Sequence, residues 1–271
     1  MAGVLIGGLS IQIGCLKMAL NLTKELGRKE ILVPHLNNWF ARAEFPDEIT
    51  VKIHMNKEED DAFHPSSASA CARELYALRE EHVEPRKKDG NAYKIFMFGH
   101  YAHAILQYII VEGLGFATWD DIEREFRYDM KTTAGNPYEI RGFTDVAYCN
   151  IPGQDAPLLV DVKTMMARLY ALNEIPRSTL VKYEAQIKMY LAFTELDKAI
   201  MLCSEKDTPH RFKEHYVYRD DDFVDSVMEK WEYVVDCQVS GDLPDCTCDS
   251  PVDCSVKNLY DIAPYSKNTK T

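Results

Sequence analysis

In the run Pro157-Leu-Leu-Val-Asp-Val-Lys-Thr164 an acid, Asp161, and a base, Lys163, stand two residues apart among branched apolar residues. A strand has a side-chain period of two, so Leu158, Val160 and Val162 face one side while Leu159, Asp161 and Lys163 face the other. Charges among apolar neighbours are costly unless paired or bound, which marks the pair as a candidate for chemistry. The preceding apolar run, residues 138–149, supplies Asp145 three residues after Gly142. The Ile151-Pro-Gly-Gln-Asp-Ala-Pro157 loop lets the two runs pair antiparallel. Two carboxylates and one ammonium can then converge on one point. That set suits a hard divalent cation, magnesium or manganese, with Lys163 orienting an attacking water or offsetting developing charge. The plain alternative is a salt-bridged Asp161–Lys163 pair on an exposed sheet face.

Two helices must bring further groups to this point. One, expected from Thr179 to Phe193, places Tyr183, Gln186 and Tyr190 at i, i+3 and i+7, where amide and phenol can bond a phosphate or a metal-bound water, or simply reach solvent. The other, expected from Phe96 to Val111, aligns His100, His103 and Gln107 on one stripe and Ala102, Ile105 and Ile109 on an apolar one. A lone His on such a stripe is ordinarily a hydrogen-bonded structural residue. Gly99 lies one turn before His103 and costs about 1 kcal/mol relative to Ala, which suggests a close approach there.

Residues 237–254 hold few apolar side chains and could not order themselves by burial, yet they contain Cys246, Cys248 and Cys254. With Cys71 these thiols make a four-cysteine site that pins the C-terminal tail to an early helix, with Cys237 as a substitute ligand. Four thiolates suit zinc or an iron-sulfur cluster, and ligand type alone does not decide. The early helix is expected to be capped by Ser66 or Ser67 and to turn Cys71, Leu75 and Leu78 inward. Cys71 as a small buried apolar residue is the alternative.

With 271 residues, 46% of them hydrophobic, the chain can bury one large core. The net charge of -12 excludes coating of a polyanion over a wide face. Any nucleic-acid contact must use a local patch, for which Arg86-Lys-Lys88, Lys94, Arg168, Arg177, Lys182 and Lys188 are candidates. The cysteine pattern is not that of a small secreted domain, and the apolar first twenty residues lack a basic leader and a cleavage motif, so a reducing cytoplasm and no membrane span are expected. Three antiparallel strands (122–130, 138–149, 157–164), a helix, a strand (198–203), another at 212–218 and a helix (223–236) give an α/β fold with a mixed central sheet. The run Lys57-Glu-Glu-Asp-Asp-Ala62 reads as a solvated turn.

The ordered motifs Gly99-x3-His103, Gly142-x2-Asp145, Asp161-x-Lys163 and Gln186-x3-Tyr190 resemble those of the PD-(D/E)xK nuclease superfamily. Within it, the chain looks like RecB/AddB-like domains and the iron-sulfur nucleases of CRISPR adaptation loci and phages. The resemblance covers residues 63–254 and implies a restriction-endonuclease-like core over 63–236. Residues 1–62 become an N-terminal extension of unknown role, and 237–271 a Cys-rich tail tied to an early helix by a metal cluster. It implies that His103, Asp145, Asp161 and the Val162 carbonyl hold Mg2+ or Mn2+, that Lys163 positions the water, and that Gln186 and Tyr190 contact the DNA. Glu125 or Glu123 corresponds to an acidic position of some relatives. The family's late Cys-x2-Cys-x5-Cys is here Cys246-x-Cys248-x5-Cys254, with a [4Fe-4S] cluster implied and zinc the alternative.

The activity implied is that of a metal-dependent exonuclease acting on DNA ends or single strands in replication, recombination or repair, of the kind phages encode. Partners implied are DNA and helicase, recombination or replication proteins. An idle DNA-end-binding or scaffold subunit and a restriction-like endonuclease are the alternatives.

Overall fold

The computed structural model describes residues 30–42, 60–80, 90–165, 177–205, 211–248 and 254–256. Five strands form one sheet in the order β1 (Ile122–Lys131), β2 (Pro137–Cys149), β3 (Leu158–Met165), β4 (Lys198–Glu205) and β5 (Phe212–Tyr218). β1, β2 and β3 pair antiparallel, β3 and β4 run parallel, and β4 and β5 are antiparallel, so the sheet is mixed. The parallel pair requires a crossover, and helix α4 (Arg177–Thr194) supplies it.

The side-chain alternation in β3 sorts the core into two faces. Leu158, Val160 and Val162 join Val146, Ile200 and Leu202 beneath helix α1 (Val33–Arg42) and the end of α3 (Gly90–Tyr108). Leu159 joins Met201, Cys203 and Val217 beneath Ile187 and Leu191 of α4. A further apolar cluster packs α2 (Ala72–Arg79) against Trp231, Val234 and Val235 of α5 (Asp221–Ser240) and against Tyr138 and Ile140 of β2.

Helix α1 belongs to this core. Leu32 and Leu36 are fully buried, and the Glu214 carboxylate of β5 accepts the otherwise unpaired N–H groups of Ile31, Leu32 and Val33 at the helix start. Trp39 closes the contact against Gly113, where a Cβ would sit 2.5 Å from the indole nitrogen.

Several local expectations are corrected. Cys71 itself occupies the N-cap of α2, and Ser66 and Ser67 lie in a preceding 3-10 turn. The buried stripe of α2 therefore runs through Ala72, Leu75 and Tyr76, which turns Leu78 to solvent at 47% exposure. On α3, Ile105 points outward. Asp60 is not simply solvated, because it meets Arg141 Nη1 at 2.8 Å and His64 Nε2 at 2.9 Å. The first twenty residues, Arg86-Lys-Lys88 and Arg168 lie outside the described residues. Among the described residues, no helix is long and apolar enough to cross a membrane.

Candidate active site

β3 turns Asp161 and Lys163 to the α4 side of the sheet. Lys163 Nζ lies 2.8 Å from Asp161 Oδ2 and donates to Gln186 Oε1 at 3.1 Å, with the Tyr183 ring centroid 5.0 Å away. Gln186 Nε2 reaches the Tyr190 hydroxyl at 3.4 Å. The helical spacing of 183, 186 and 190 thus presents ring, amide and phenol in sequence to the ammonium. From α3, His103 Nδ1 meets Asp145 Oδ1 at 3.0 Å, and the Val162 N–H donates to Asp145 Oδ2 at 2.7 Å. The structure brings His103, Asp145, Asp161, Val162, Lys163, Gln186 and Tyr190 into one connected array.

Burial decides between this array and an exposed ion pair. The Asp161 side chain is 3% exposed and Lys163 14%, so the exposed sheet-face alternative fails. The two acids are driven in opposite directions. Burial pushes Asp145 up, but the charge and hydrogen bond of His103, then Lys163 and the Val162 N–H, hold it down to about 2. Burial, with the Asp145 charge added, pushes Asp161 up to about 6 despite the Lys163 ammonium. Burial depresses His103 and Lys163, yet the facing carboxylates outweigh it and raise both. One carboxylate is held firmly ionised while the other keeps its proton more readily, a division typical of sites built for acid–base or metal chemistry.

Asp161 Oδ2 is also the atom that tests a cation. It is buried and accepts no aligned hydrogen bond, although Lys163 is close. A buried carboxylate oxygen held only by the Lys163 ammonium, beside a second carboxylate, is the donor type a hard divalent ion takes. The donor types suit such an ion, and because His103, Asp145 and Asp161 do not all bring ligand atoms within 4.8 Å of one another, binding would draw them together.

Glycine 142 makes room for the array. A Cβ there would lie 2.8 Å from Tyr190 Cε1 and 3.0 Å from Pro65 Cδ, so Gly142 lets the Tyr190 ring lie on β2. At Gly99 the same test finds, among the described residues, Thr164 Oγ1 at 3.5 Å, an ordinary contact and no tight one. Gly142→Ala is accordingly expected to cost about 1–3 kcal/mol by overpacking. Gly99→Ala should be neutral or stabilise by up to about 1 kcal/mol through helix propensity. Urea unfolding of the two variants checks both.

The second site is sulfur. The Sγ atoms of Cys71, Cys246, Cys248 and Cys254 all lie within 4.8 Å of one another, with Cys71 3.7 Å from Cys246 and 4.0 Å from Cys254. Tail and helix are joined by Thr247 Oγ1 accepting from the Ala72 N–H and by Arg73 Nε donating to the Pro244 carbonyl. Burial pushes the Cys71 thiol up, but donors from Thr247 and Arg73 hold it down to about 6. Burial and the neighbouring thiols push Cys248 and Cys254 up. A bound metal would take all four as thiolates.

No family model matches the chain, and no curated protein matches its sequence. Among solved structures, SSO0001 is similar at a TM-score of 0.47 and 14% identity, covering 77% of this chain and 88% of its own. A phage-related exonuclease from Haemophilus somnus 129PT gives 0.40 and 13%, covering 66% and 96%. The alkaline exonuclease LHK-Exo from Laribacter hongkongensis gives 0.39 and 13%, covering 67% and 91%. These are distant likenesses, and the chemistry here rests on the chain's own residues.

Five candidates lie apart from the two sites. Cys237 is buried in α5 and stands outside the four-sulfur group, because the other thiols already close it. Lys188 is engaged, its Nζ 2.6 Å from Asp220 Oδ2 and 4.9 Å from the Phe223 ring, so it is not a free phosphate contact. Glu125 accepts from Arg141 Nε at 2.6 Å, at the far side of that guanidinium's pairing with Asp60. Lys94 and Lys182 are exposed. Gln107, by contrast, reaches the array from α3, bonding the Asp145 carbonyl and Glu123.

Proposed function

We propose that this chain is a divalent-metal-dependent deoxyribonuclease of the PD-(D/E)xK type that degrades DNA from its ends. The observation that carries the reading is the buried Asp161–Lys163 pair beside the His103-anchored Asp145. Asp145, Asp161, His103 and the Val162 carbonyl would hold Mg2+ or Mn2+, which supplies Lewis-acid polarisation of the phosphate and an activated water. Lys163 stays charged through both carboxylates and is held by Gln186, so it can orient the attacking water and offset charge on the phosphate. Gln186 and Tyr190, reaching in from α4, would bond the phosphate oxygens. Burial keeps the Tyr190 phenol protonated and therefore a donor. The nuclease unit comprises residues 63–236, joined by α1 in the core, and the tail serves as its clamp.

The experiment is digestion of end-labelled linear and covalently closed circular DNA, single and double stranded, with Mg2+ or Mn2+. End-dependent loss of label with circles intact is the expected result. Discrete fragments from circles would indicate an endonuclease, and no cleavage of any substrate by metal-loaded protein would point to a DNA-end-binding or scaffold role.

The four thiolates form a structural metal centre in this reading. The resemblance implies a [4Fe-4S] cluster, whereas the sulfur spacing favours a single zinc ion. Zn–S bonds of about 2.3 Å in a tetrahedron place the sulfurs about 3.8 Å apart. A cubane interposes irons and sulfides between the thiolates and needs them farther apart.

A further inference from the structure

Gln107 and Glu123 form a supporting pair beside the candidate metal site. Gln107 lies four residues after His103 on α3, so the two side chains share one face a turn apart. It is 4% exposed among the buried Ala104, Leu106 and Ile110. A buried amide needs partners, and its Nε2 donates both to the Asp145 main-chain carbonyl at 3.2 Å and to Glu123 Oε1 at 3.3 Å. Both partners are acceptors, so chemistry fixes the amide with its NH2 toward them; the flipped amide would set oxygen against oxygen. His103 and Gln107 therefore clamp Asp145 as two rungs, one on the carboxylate and one on the backbone.

Glu123 carries an unusual backbone. Its φ is +49°, and the only other described non-glycine residue with positive φ, Glu195, sits where α4 gives way to a turn. Glu123 sits inside β1, between the pairs Ile122↔Val146 and Arg124↔Thr144, which set it across from Asp145. A left-handed Glu within a strand is costly, and such a conformation persists where its surroundings require it. Here it delivers a carboxylate to Gln107.

Resting on the nuclease reading above, we propose that Gln107 and Glu123 are positioning residues. Glu123 locks the Gln107 amide, and Gln107 holds the Asp145 backbone to α3, so that His103 and the Asp145 carboxylate meet in the geometry that receives the cation. Outer partners of metal ligands typically change affinity by about 10–100-fold when removed.

The test compares wild type with Glu123→Gly, Glu123→Gln and Gln107→Leu. It reads the melting temperature without metal, the shift in that temperature on titration with Mn2+, and the Mn2+ concentration for half-maximal cleavage. Glu123→Gly relieves the backbone while removing the carboxylate. Its metal-free melting temperature should hold or rise while its Mn2+ requirement increases about tenfold or more. Glu123→Gln keeps an acceptor for the Gln107 amide and should recover part of the affinity. Combining Gln107→Leu with Glu123→Gly should cost no more Mn2+ affinity than the larger single effect, because the pair acts as one unit. Unchanged Mn2+ affinity in all variants, with a lowered metal-free melting temperature, would reduce the pair to a structural hydrogen bond and overturn the proposal. The thermal shift needs no cleavage, so a protein whose Mn2+ affinity depends on this pair but that cuts no DNA sinks the nuclease reading and leaves the positioning role standing.

Discussion

Asp161→Ala is expected to abolish DNA cleavage while the fold survives, and Lys163→Ala to do nearly the same. Metal-assisted charge stabilisation at a phosphoryl group is worth several kcal/mol. At tenfold per about 1.4 kcal/mol, loss of the Asp161 ligand should lower the rate on the order of 10³-fold or more. Removing a positioned cation or proton-handling group typically costs about 10²–10⁴-fold, which sets the scale for Lys163→Ala. The two variants differ in what they leave behind. In Asp161→Ala the Lys163 ammonium still has the Asp145 charge nearby and the Gln186 oxygen at 3.1 Å, so it is not stranded. In Lys163→Ala the buried Asp161 loses its counter-charge and takes up a proton more readily, which weakens the site a second way. Circular dichroism and thermal unfolding establish that each variant is folded before rates are compared. Full activity in either purified variant would remove that residue from the chemistry and take the proposed site with it.

How much of this could be read from sequence depends on the kind of regularity involved. The two-residue period of β3 fixes which side chains face α1 and which face α4, and the structure follows it residue by residue, with Val160 on one face and Leu159 on the other. The helical spacing of Tyr183, Gln186 and Tyr190 similarly survives, because a single helix carries all three. What spacing does not contain is register between elements. The pairing of Gln107 with Glu123 depends on where α3 lies across β1 and β2, and Glu123 declares itself only through a backbone angle. The role of α1 is hidden for the same reason. Its apolar stripe at Leu32 and Leu36 was legible in principle, but the carboxylate that caps it comes from Glu214, 182 positions beyond Leu32. The two motif glycines show the limit from the other side. A helical Gly99 is costly in isolation and so draws notice, yet among the described residues nothing crowds a methyl group there, whereas the strand glycine, Gly142, is the one Tyr190 needs.

The sulfur site gives the largest expected change in stability. Cys254 is 3% exposed, and Val256 two residues later is 7% exposed within the cluster that holds α2 and α5, so this short piece of tail is packed as core. Its few apolar groups work against an ordering cost of about 1–2 kcal/mol per backbone residue, so a metal bound by the four cysteines would supply much of what holds it. Cys254→Ser replaces a thiolate that closes the four-sulfur group with a hydroxyl, a poor ligand for zinc or an iron-sulfur cluster, and leaves that hydroxyl buried. Since structural metal binding is folding free energy, loss of this ligand should cost several kcal/mol and lower the bound metal content. The tail should become sensitive to protease. The active-site array lies on other elements, so cleavage by the folded variant, measured below its lowered midpoint, should remain within a few-fold of wild type. Metal analysis of anaerobically purified wild type identifies the ion. One zinc per chain in a colourless protein would agree with sulfurs 3.7 and 4.0 Å apart, and a brown protein with about four irons would mean the thiolates spread to receive a cluster. A wild type whose midpoint neither metal chelation nor Cys254→Ser lowers would leave four thiols that merely pack, and the clamp would have to be sought in Thr247 and Pro244 instead.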